Sequence, residues 1–324
     1  MKAKKYLWSI ICVYFCYLTH GIQAIILSQN NVNFAKQWGF NMVKIIDGRK
    51  VAKQLNESTK QKVRELAKKG VTPGIAVILV GNNDASRRYV HMKEKKANEL
   101  GINSIMKTFS EDVSEKVVID TINKLNSNPK VNGILVQSPL PKHINEQKVI
   151  NTISPEKDVD GVNPINIGNL FLNLDEKYPV ACTPKGIMTL LEKYQVNLDG
   201  AKVVIVGRSS IVGKPMLALM LTANATITVV HSHTKNLKAY TQAADIVISS
   251  VGKYKTLEDK DFKPGAYVID VGQNLDSNGK LVGDVNYDPK TSKIGYITPV
   301  PGGVGPMTIA TLMQQTVEMC EWGL

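Results

Sequence analysis

Lys202-Val203-Val204-Ile205-Val206-Gly207-Arg208-Ser209-Ser210-Ile211-Val212-Gly213-Lys214-Pro215 is the stretch that decides how this chain is built. β-Branched residues run into a glycine, a second glycine follows six positions later, and Pro215 leads into the apolar run Met216–Leu221. A short apolar run closed by turn residues reads as a buried parallel strand, and the apolar stretch after it as a helix. Glycines at such a junction let backbone approach phosphate oxygens, and the helix N-terminus adds N–H donors and a positive dipole. The spacing is not G-x-G-x-x-G, so the generic dinucleotide fingerprint is not met. Taken alone, the stretch also fits an ordinary strand–helix turn.

Its surroundings repeat the alternation. Upstream, Ile75–Gly81 and Val131–Gln137 read as strands, residues 86–100 and 114–126 as helices, and Ile102–Phe109 as extended chain. Downstream, Thr226–His231, Asp245–Ser250 and Ala266–Val271 continue the strand series, and a final helix runs from near Pro306 to Trp322. The pattern predicts an α/β fold with a mainly parallel sheet. Residues 153–178, with their prolines, glycines and asparagines, read as an irregular connector.

The chain has 324 residues, enough for two domains, with 43% apolar and 21% charged residues, as in globular proteins. Cys12, Cys16, Cys182 and Cys320 show no metal spacing and no disulfide framework, and the histidines suggest no zinc site. Of the formal charge of +12, residues 1–46 supply five lysines and no acid. The remaining lysines are scattered over helix surfaces, a solvated face rather than a nucleic-acid patch. Lys2-Ala3-Lys4-Lys5 followed by the mostly apolar Tyr6–Leu18 resembles a signal-peptide n-region and h-region, too short to span a membrane comfortably. Residues 1–43 are therefore expected to be a targeting leader to an organelle, plastid-like or mitochondrial, with an unprocessed tail on a cytoplasmic protein as the alternative. No stable membrane span is expected in the mature protein.

Several residues carry chemistry. Tyr89 and Lys93 lie four apart on one helix face. Beside a ligand, a buried lysine can act as a base or hold an anionic carbonyl; a chance surface pair is the other reading. Short-chain dehydrogenases also use Tyr-x-x-x-Lys, but their glycine turn comes first, whereas here the pair precedes Gly207. Gln137 sits at a strand's carboxyl end, where α/β sheets bind ligands. Asp160, in Asp158-Val159-Asp160-Gly161, offers a loop carboxylate suited to a donor-rich heterocycle edge, or makes an ordinary Asx turn. Thr298–Thr308 sets glycine-rich backbone, including Gly302 and Gly303, against a helix N-terminus, with Pro306 placed for a first-turn proline. The strand Thr226–Val230 ends in His231-Ser232-His233-Thr234 with no acid to bond a ribose 2′-hydroxyl, while Arg208 and Ser232 can donate to a 2′-phosphate.

Tyr89-x-x-x-Lys93, Val136-Gln137-x-Pro139-Leu140-Pro141, Pro155–Gly161, Cys182-Thr183-Pro184, Gly207-Arg208-Ser209-x-x-Val212-Gly213-x-Pro215 and Pro299–Thr308 occur in that order. Over about residues 44–324 the chain closely resembles the bifunctional methylenetetrahydrofolate dehydrogenase/methenyltetrahydrofolate cyclohydrolase family. The resemblance implies a folate-binding catalytic domain at 44–160, completed by 300–324, and a Rossmann-type NADP-binding domain at 161–299, with the last helix returning to the first domain. It implies Lys93 as the polar catalyst, Tyr89 stacking on the folate, Gln137 orienting Lys93, and Asp160 gripping the pterin edge. Thr183, Gly302 and Gly303 would border the cleft near the nicotinamide. Gly207, Arg208, Ser209, Val212, Gly213 and Ser232 would hold NADP. Tetrahydrofolate derivatives are the implied substrates, and a homodimer through the cofactor domain the implied assembly.

Two positions depart from the family pattern: Ser138, where leucine is usual, and Gln273, where isoleucine is usual. They bear on substrate affinity and relative rates more than on the reaction. A monofunctional dehydrogenase and a catalytically silent binding protein on the same fold remain the alternatives, since fold alone does not prove activity.

Overall fold

The computed structural model describes residues 43–323. The leader read at 1–43 lies outside them but for Val43. Lys44–Ile45 (β1) and Gly48–Lys68 (α1) lead into a three-stranded parallel sheet, in which Gly74–Val80 (β2) runs between Asn103–Phe109 (β3) and Gly133–Val136 (β4). β2 is buried at all seven positions, as an unbroken apolar run covered on both faces must be. Asp84–Leu100 (α2) joins β2 to β3, and Glu115–Asn126 (α3) joins β3 to β4. α2 starts two residues before the predicted Ser86 because the Asn83 side chain accepts the Ser86 N–H at 3.0 Å, and it stops at Gly101 in the left-handed region.

Glu146–Thr152 (α4) follows, and then comes the stretch predicted to be irregular. It is not irregular throughout: Pro164–Leu172 (α5) is a helix. Asn163 caps it by accepting the Ile165 N–H at 3.0 Å, Pro164 takes the first turn where its missing N–H costs nothing, and Asn173 ends it in the left-handed region. The asparagines and proline that read as loop punctuation are this helix's start and stop signals.

Cys182–Lys193 (α6) leads into the second sheet, made of Lys202–Val206 (β5), Thr226–Val230 (β6), Ile246–Ser249 (β7), Tyr267–Asp270 (β8) and Tyr296–Ile297 (β9), with β1 added at the edge. The order is β1-β9-β8-β7-β5-β6, and every ladder is parallel. Gly213–Thr222 (α7), Leu237–Thr241 (α8) and Val304–Trp322 (α9) complete the α-helices among the described residues. Alternation along β5 feeds both faces: Val203 and Ile205 meet Ile187 and Leu190 of α6 and Met216 and Met220 of α7. Val204 and Val206 meet Val247, Val268 and Phe262.

The two sheets are not independent. β1 bonds to the second sheet, Lys44 N–H donating to Gly295 O at 2.9 Å and Ile46 N–H to Ile297 O at 2.8 Å, before α1 crosses to the first. α9 returns the same way: Met307 and Ala310 join the core beneath the second sheet. Leu312, Met313 and Val317 of the same helix join Val77 and Leu79 of β2 and Val63 and Leu66 of α1. The wholly buried Gln315 fastens α9 to the connector, its amide donating to Val159 O and Val180 O, both at 2.8 Å.

Candidate active site

α2 presents Tyr89 and Lys93 one turn apart. Lys93 Nζ donates to Gln137 Oε1 at 2.9 Å, and Gln137 Nε2 donates to Ser138 O at 2.8 Å. Gln137 follows directly on β4, its N–H held by Ile78 O at 2.9 Å, so a sheet fixes the amide that fixes the lysine. Asp158 shapes the loop carrying Asp160. It is buried, it bridges to Ile134 of β4, and its Oδ2 accepts the Asn163 N–H at 2.7 Å and Asn166 Nδ2 at 3.0 Å.

The charges of this cluster are coupled. Burial pulls the Lys93 ammonium below the ordinary lysine range, while Asp160 and Cys182 act the other way. Burial pushes Asp160 up to about 6; Lys93 opposes the rise and Asp158 adds to it. The buried Cys182 thiol is pushed far up, first by burial and then by Asp160. A lysine with weakened hold on its proton, beside a carboxyl that titrates near neutrality, is equipped for proton transfer.

The raised Asp160 predicts a trade-off. Its proton is held more tightly in the fold than in the unfolded chain, so its contribution to stability is full below pH 3.8 and lost as pH rises through about 6. Asp160→Asn is expected to be more stable than the parent at pH 8, by about 3 kcal/mol at most, and the gap should close by about pH 4. Thermal unfolding at the two pH values checks this. An asparagine protein no more stable at pH 8 would show that the carboxylate is not strained there.

Tyr89 also lines a cleft of about 900 Å³ with Arg49 and Lys53 of α1, Gln273, and the turn Pro299–Gly305. Gly302, at φ 117°, takes a conformation that side-chain-bearing residues avoid, and its carbonyl accepts the Arg49 N–H at 3.0 Å. α9 begins at this turn without a side-chain cap. Thr183 Oγ1 lies 2.9 Å from Thr308 Oγ1, tying α6 to the first turns of α9. Lys93, Gln137 and Asp160 do not line this cleft; they form a polar cluster one helical turn along from Tyr89.

At the carboxyl ends of β5 and β6 the structure gathers Gly207, Arg208, Ser209, Val212, Gly213 and Ser232. The Gly207 N–H donates to Val230 O at 2.9 Å, joining the two strand ends. A Cβ on Gly213 would sit 2.4 Å from Gly207 O, so the turn closes only without one. Ser209 Oγ accepts the Val212 N–H at 3.2 Å. Arg208 and Ser232 are exposed, and burial followed by the Arg208 charge holds the His231 imidazole below its ordinary value. This bare-backbone cradle with a guanidinium at its rim fits a phosphorylated dinucleotide.

A buried carboxylate pair went unread in the sequence. Asp270, at the end of β8, accepts N–H bonds from Gly272, Asp284 and Val285, each at 2.9 Å. Asp284 accepts Ser249 Oγ at 3.0 Å and the Val251 and Lys253 N–H groups at 2.8 and 3.0 Å. Together they anchor the loops after β7 and β8, of which the second lines the cleft through Val271–Gln273. An aspartate ending a strand, with a glycine two residues later, was the available signal. Of the two departures, Gln273 lines the cleft, its Nε2 3.6 Å from where a Cβ on Gly305 would lie. Ser138 donates its hydroxyl to Glu146 Oε1 at 2.7 Å.

Comparison with known proteins bears on the same residues. The family model for the tetrahydrofolate dehydrogenase/cyclohydrolase catalytic domain matches residues 46–160, and that for its NAD(P)-binding domain matches 181–323. The bifunctional protein FolD of Levilactobacillus brevis is 50% identical over 281 residues, covering 87% of this chain and 98% of the relative. That of Lactiplantibacillus plantarum is 52% identical over the same shares. The crystal structure of the bifunctional methylenetetrahydrofolate dehydrogenase/cyclohydrolase FolD from Campylobacter jejuni superposes with a TM-score of 0.85 at 43% identity, covering 87% of this chain and all of that one. The Trypanosoma brucei enzyme, complexed with NADP and an inhibitor, gives 0.83 at 35% identity, covering 87% and 99%.

Proposed function

The chain belongs to the tetrahydrofolate dehydrogenase/cyclohydrolase family, and from that premise we propose how its cleft works. The protein is a bifunctional enzyme: it oxidises 5,10-methylenetetrahydrofolate to the 5,10-methenyl compound with NADP and hydrolyses that to 10-formyltetrahydrofolate. NADP, held by the Gly207–Gly213 turn with Arg208 and Ser232, supplies the hydride acceptor. The chain's own residues do the rest. Tyr89 offers a ring face for the folate, and Asp160 accepts from the donor edge of the pterin. Thr183 and the Gly302–Gly303 turn bound the space in which the bridge carbon meets the nicotinamide. Hydride transfer, pushed by a folate nitrogen lone pair, needs positioning above all. The methenyl bridge is cationic, and water adding to it must lose a proton. Lys93, its ammonium weakened by burial and aimed by Gln137, handles that proton as the ring opens.

The Lys93–Gln137–Asp160 cluster beside the Tyr89 cleft carries this reading. The purified chain with methylenetetrahydrofolate and NADP is expected to reduce the cofactor and, separately, to clear the methenyl compound faster than buffer does. Cofactor reduction with methenyl decay no faster than in buffer would leave a monofunctional dehydrogenase.

The protein works as a homodimer on this reading, through its cofactor half. β6 is one edge of the six-stranded sheet, opposite β1, and α7 beside it leaves Leu221 58% exposed, an arrangement that a second copy would cover. Leu221→Glu is expected to shift the protein from dimer to monomer in light scattering at micromolar concentration. An unshifted dimer would place the contact elsewhere. Among the described residues no helix is long and apolar enough to cross a membrane.

A further inference from the structure

Ser138 stands where the family usually carries leucine, and its hydroxyl is engaged. It donates to Glu146 Oε1 at 2.7 Å. Glu146 opens α4, whose N-terminus is fixed by Asn145 accepting the Lys148 N–H at 3.1 Å. The carbonyl of the same Ser138 accepts Gln137 Nε2 at 2.8 Å, and Gln137 Oε1 accepts Lys93 Nζ at 2.9 Å. The bonds thus run in series from Glu146 through Ser138 and Gln137 to Lys93.

The direction of the Gln137 amide matters. Reversed, it would turn its two donors toward an ammonium that has only donors. The Ser138 carbonyl holds the –NH₂ end and so keeps the oxygen on Lys93. A leucine at 138 would offer the same carbonyl, but no side-chain hydrogen bond to fix the residue that bears it. We propose that Glu146, acting through Ser138, is a positioning residue that orients Gln137 and Lys93 for hydrolysis of the methenyl bridge. The inference rests on Lys93 as the proton-transfer group of that step. It is a matter of orientation rather than charge, since the charges acting on Lys93 are those of Asp160 and Cys182.

The test uses the full chain and follows both activities. In Ser138→Ala and in Glu146→Ala the ratio of cyclohydrolase to dehydrogenase kcat is expected to fall about fivefold, the scale of one net hydrogen bond, with folate KM changing less than about twofold. The double variant should fall no further than Glu146→Ala alone, because both substitutions remove the Ser138–Glu146 bond and Glu146→Ala removes besides it only the long bond from the Leu140 N–H at 3.4 Å. Glu146→Gln keeps an acceptor, Ser138→Thr keeps the hydroxyl, and both should restore the ratio. A crystal structure of Ser138→Ala should show Gln137 Oε1 withdrawn from Lys93. Equal losses in the two activities, additive losses in the double variant, no rescue by Glu146→Gln and Ser138→Thr, or a Ser138→Ala structure with the Lys93–Gln137 bond intact would each overturn the proposal. If the parent chain hydrolyses no methenyl compound, the functional reading fails instead, and the crystal structure alone decides the positioning.

Discussion

Lys93→Met is expected to fold, to bind NADP, and to lose hydrolysis of the methenyl compound by about 10²–10⁴-fold, while oxidation of the methylene compound remains measurable. The side chain's polar end makes a single hydrogen bond, to Gln137. A methionine of similar length fills the place of the aliphatic stem, and the ammonium was already held at a cost through burial. Packing should therefore survive, at a loss of about 1 kcal/mol for the missing hydrogen bond. The two chemical steps differ in what they ask of the site. Hydride transfer asks that bridge carbon and nicotinamide be held together, which Tyr89, Asp160 and the Gly302–Gly303 turn can do without a titrating group. Addition of water asks for a group that moves a proton. Gln137→Ala should fall in between, since Lys93 remains but loses its guide. Stopped assays of methenyl decay beside cofactor reduction separate the outcomes, and full cyclohydrolase activity in a well-folded Lys93→Met protein would remove Lys93 from the mechanism.

Arg208→Ala is expected to lower kcat/KM with NADP by about tenfold or more while changing that with NAD by less than about threefold. A hydrogen bond to a charged group contributes about 1.5–3 kcal/mol, or roughly 10–150-fold. Arg208 is exposed at the rim of its turn, where solvent screening favours the lower end of that range. Ser232 in the adjoining turn retains part of the phosphate grip. The preference for NADP should shrink without reversing, because the variant gains no carboxylate to take up a ribose hydroxyl. Parent enzyme with equal efficiency on both cofactors would refute the preference, and an equal loss on both in the variant would show that Arg208 shapes the turn rather than reads the phosphate.

What the sequence disclosed and what it hid divide along a physical line. β2 and β5 were legible because a strand covered on both faces must be apolar at every position, and no distant residue enters that inference. Tyr89 and Lys93 were legible as a pair because helix geometry alone puts them on one face. Lys93 and Gln137 are 44 residues apart, so their contact came only through the family resemblance. α5 was missed because asparagine and proline serve loops and helix ends alike, and the difference lies in which N–H the Asn163 side chain accepts. The bond from Ser138 to Glu146 was invisible for another reason: a substituted residue announces itself in a motif, whereas the carboxylate it meets belongs to no motif. Asp270 has one local partner, the Gly272 N–H, but its bonds to Asp284 and Val285 and the bond of Asp284 to Ser249 at the end of β7 join residues 14 to 35 apart in the chain.

α9 also sets an order of events during synthesis. Leu312, Met313 and Val317 belong to the core around β2, so the half of the protein made first cannot close until residues 304–322 have left the ribosome. The second sheet has its strands β5 to β8 complete some thirty residues earlier. Those strands can thus pair while the earlier-made half still exposes an apolar groove along β2 and α1, but both cores wait for α9, since Met307 and Ala310 belong beneath the second sheet. The arrival of α9 covers that groove at the moment the cleft acquires its glycine turn.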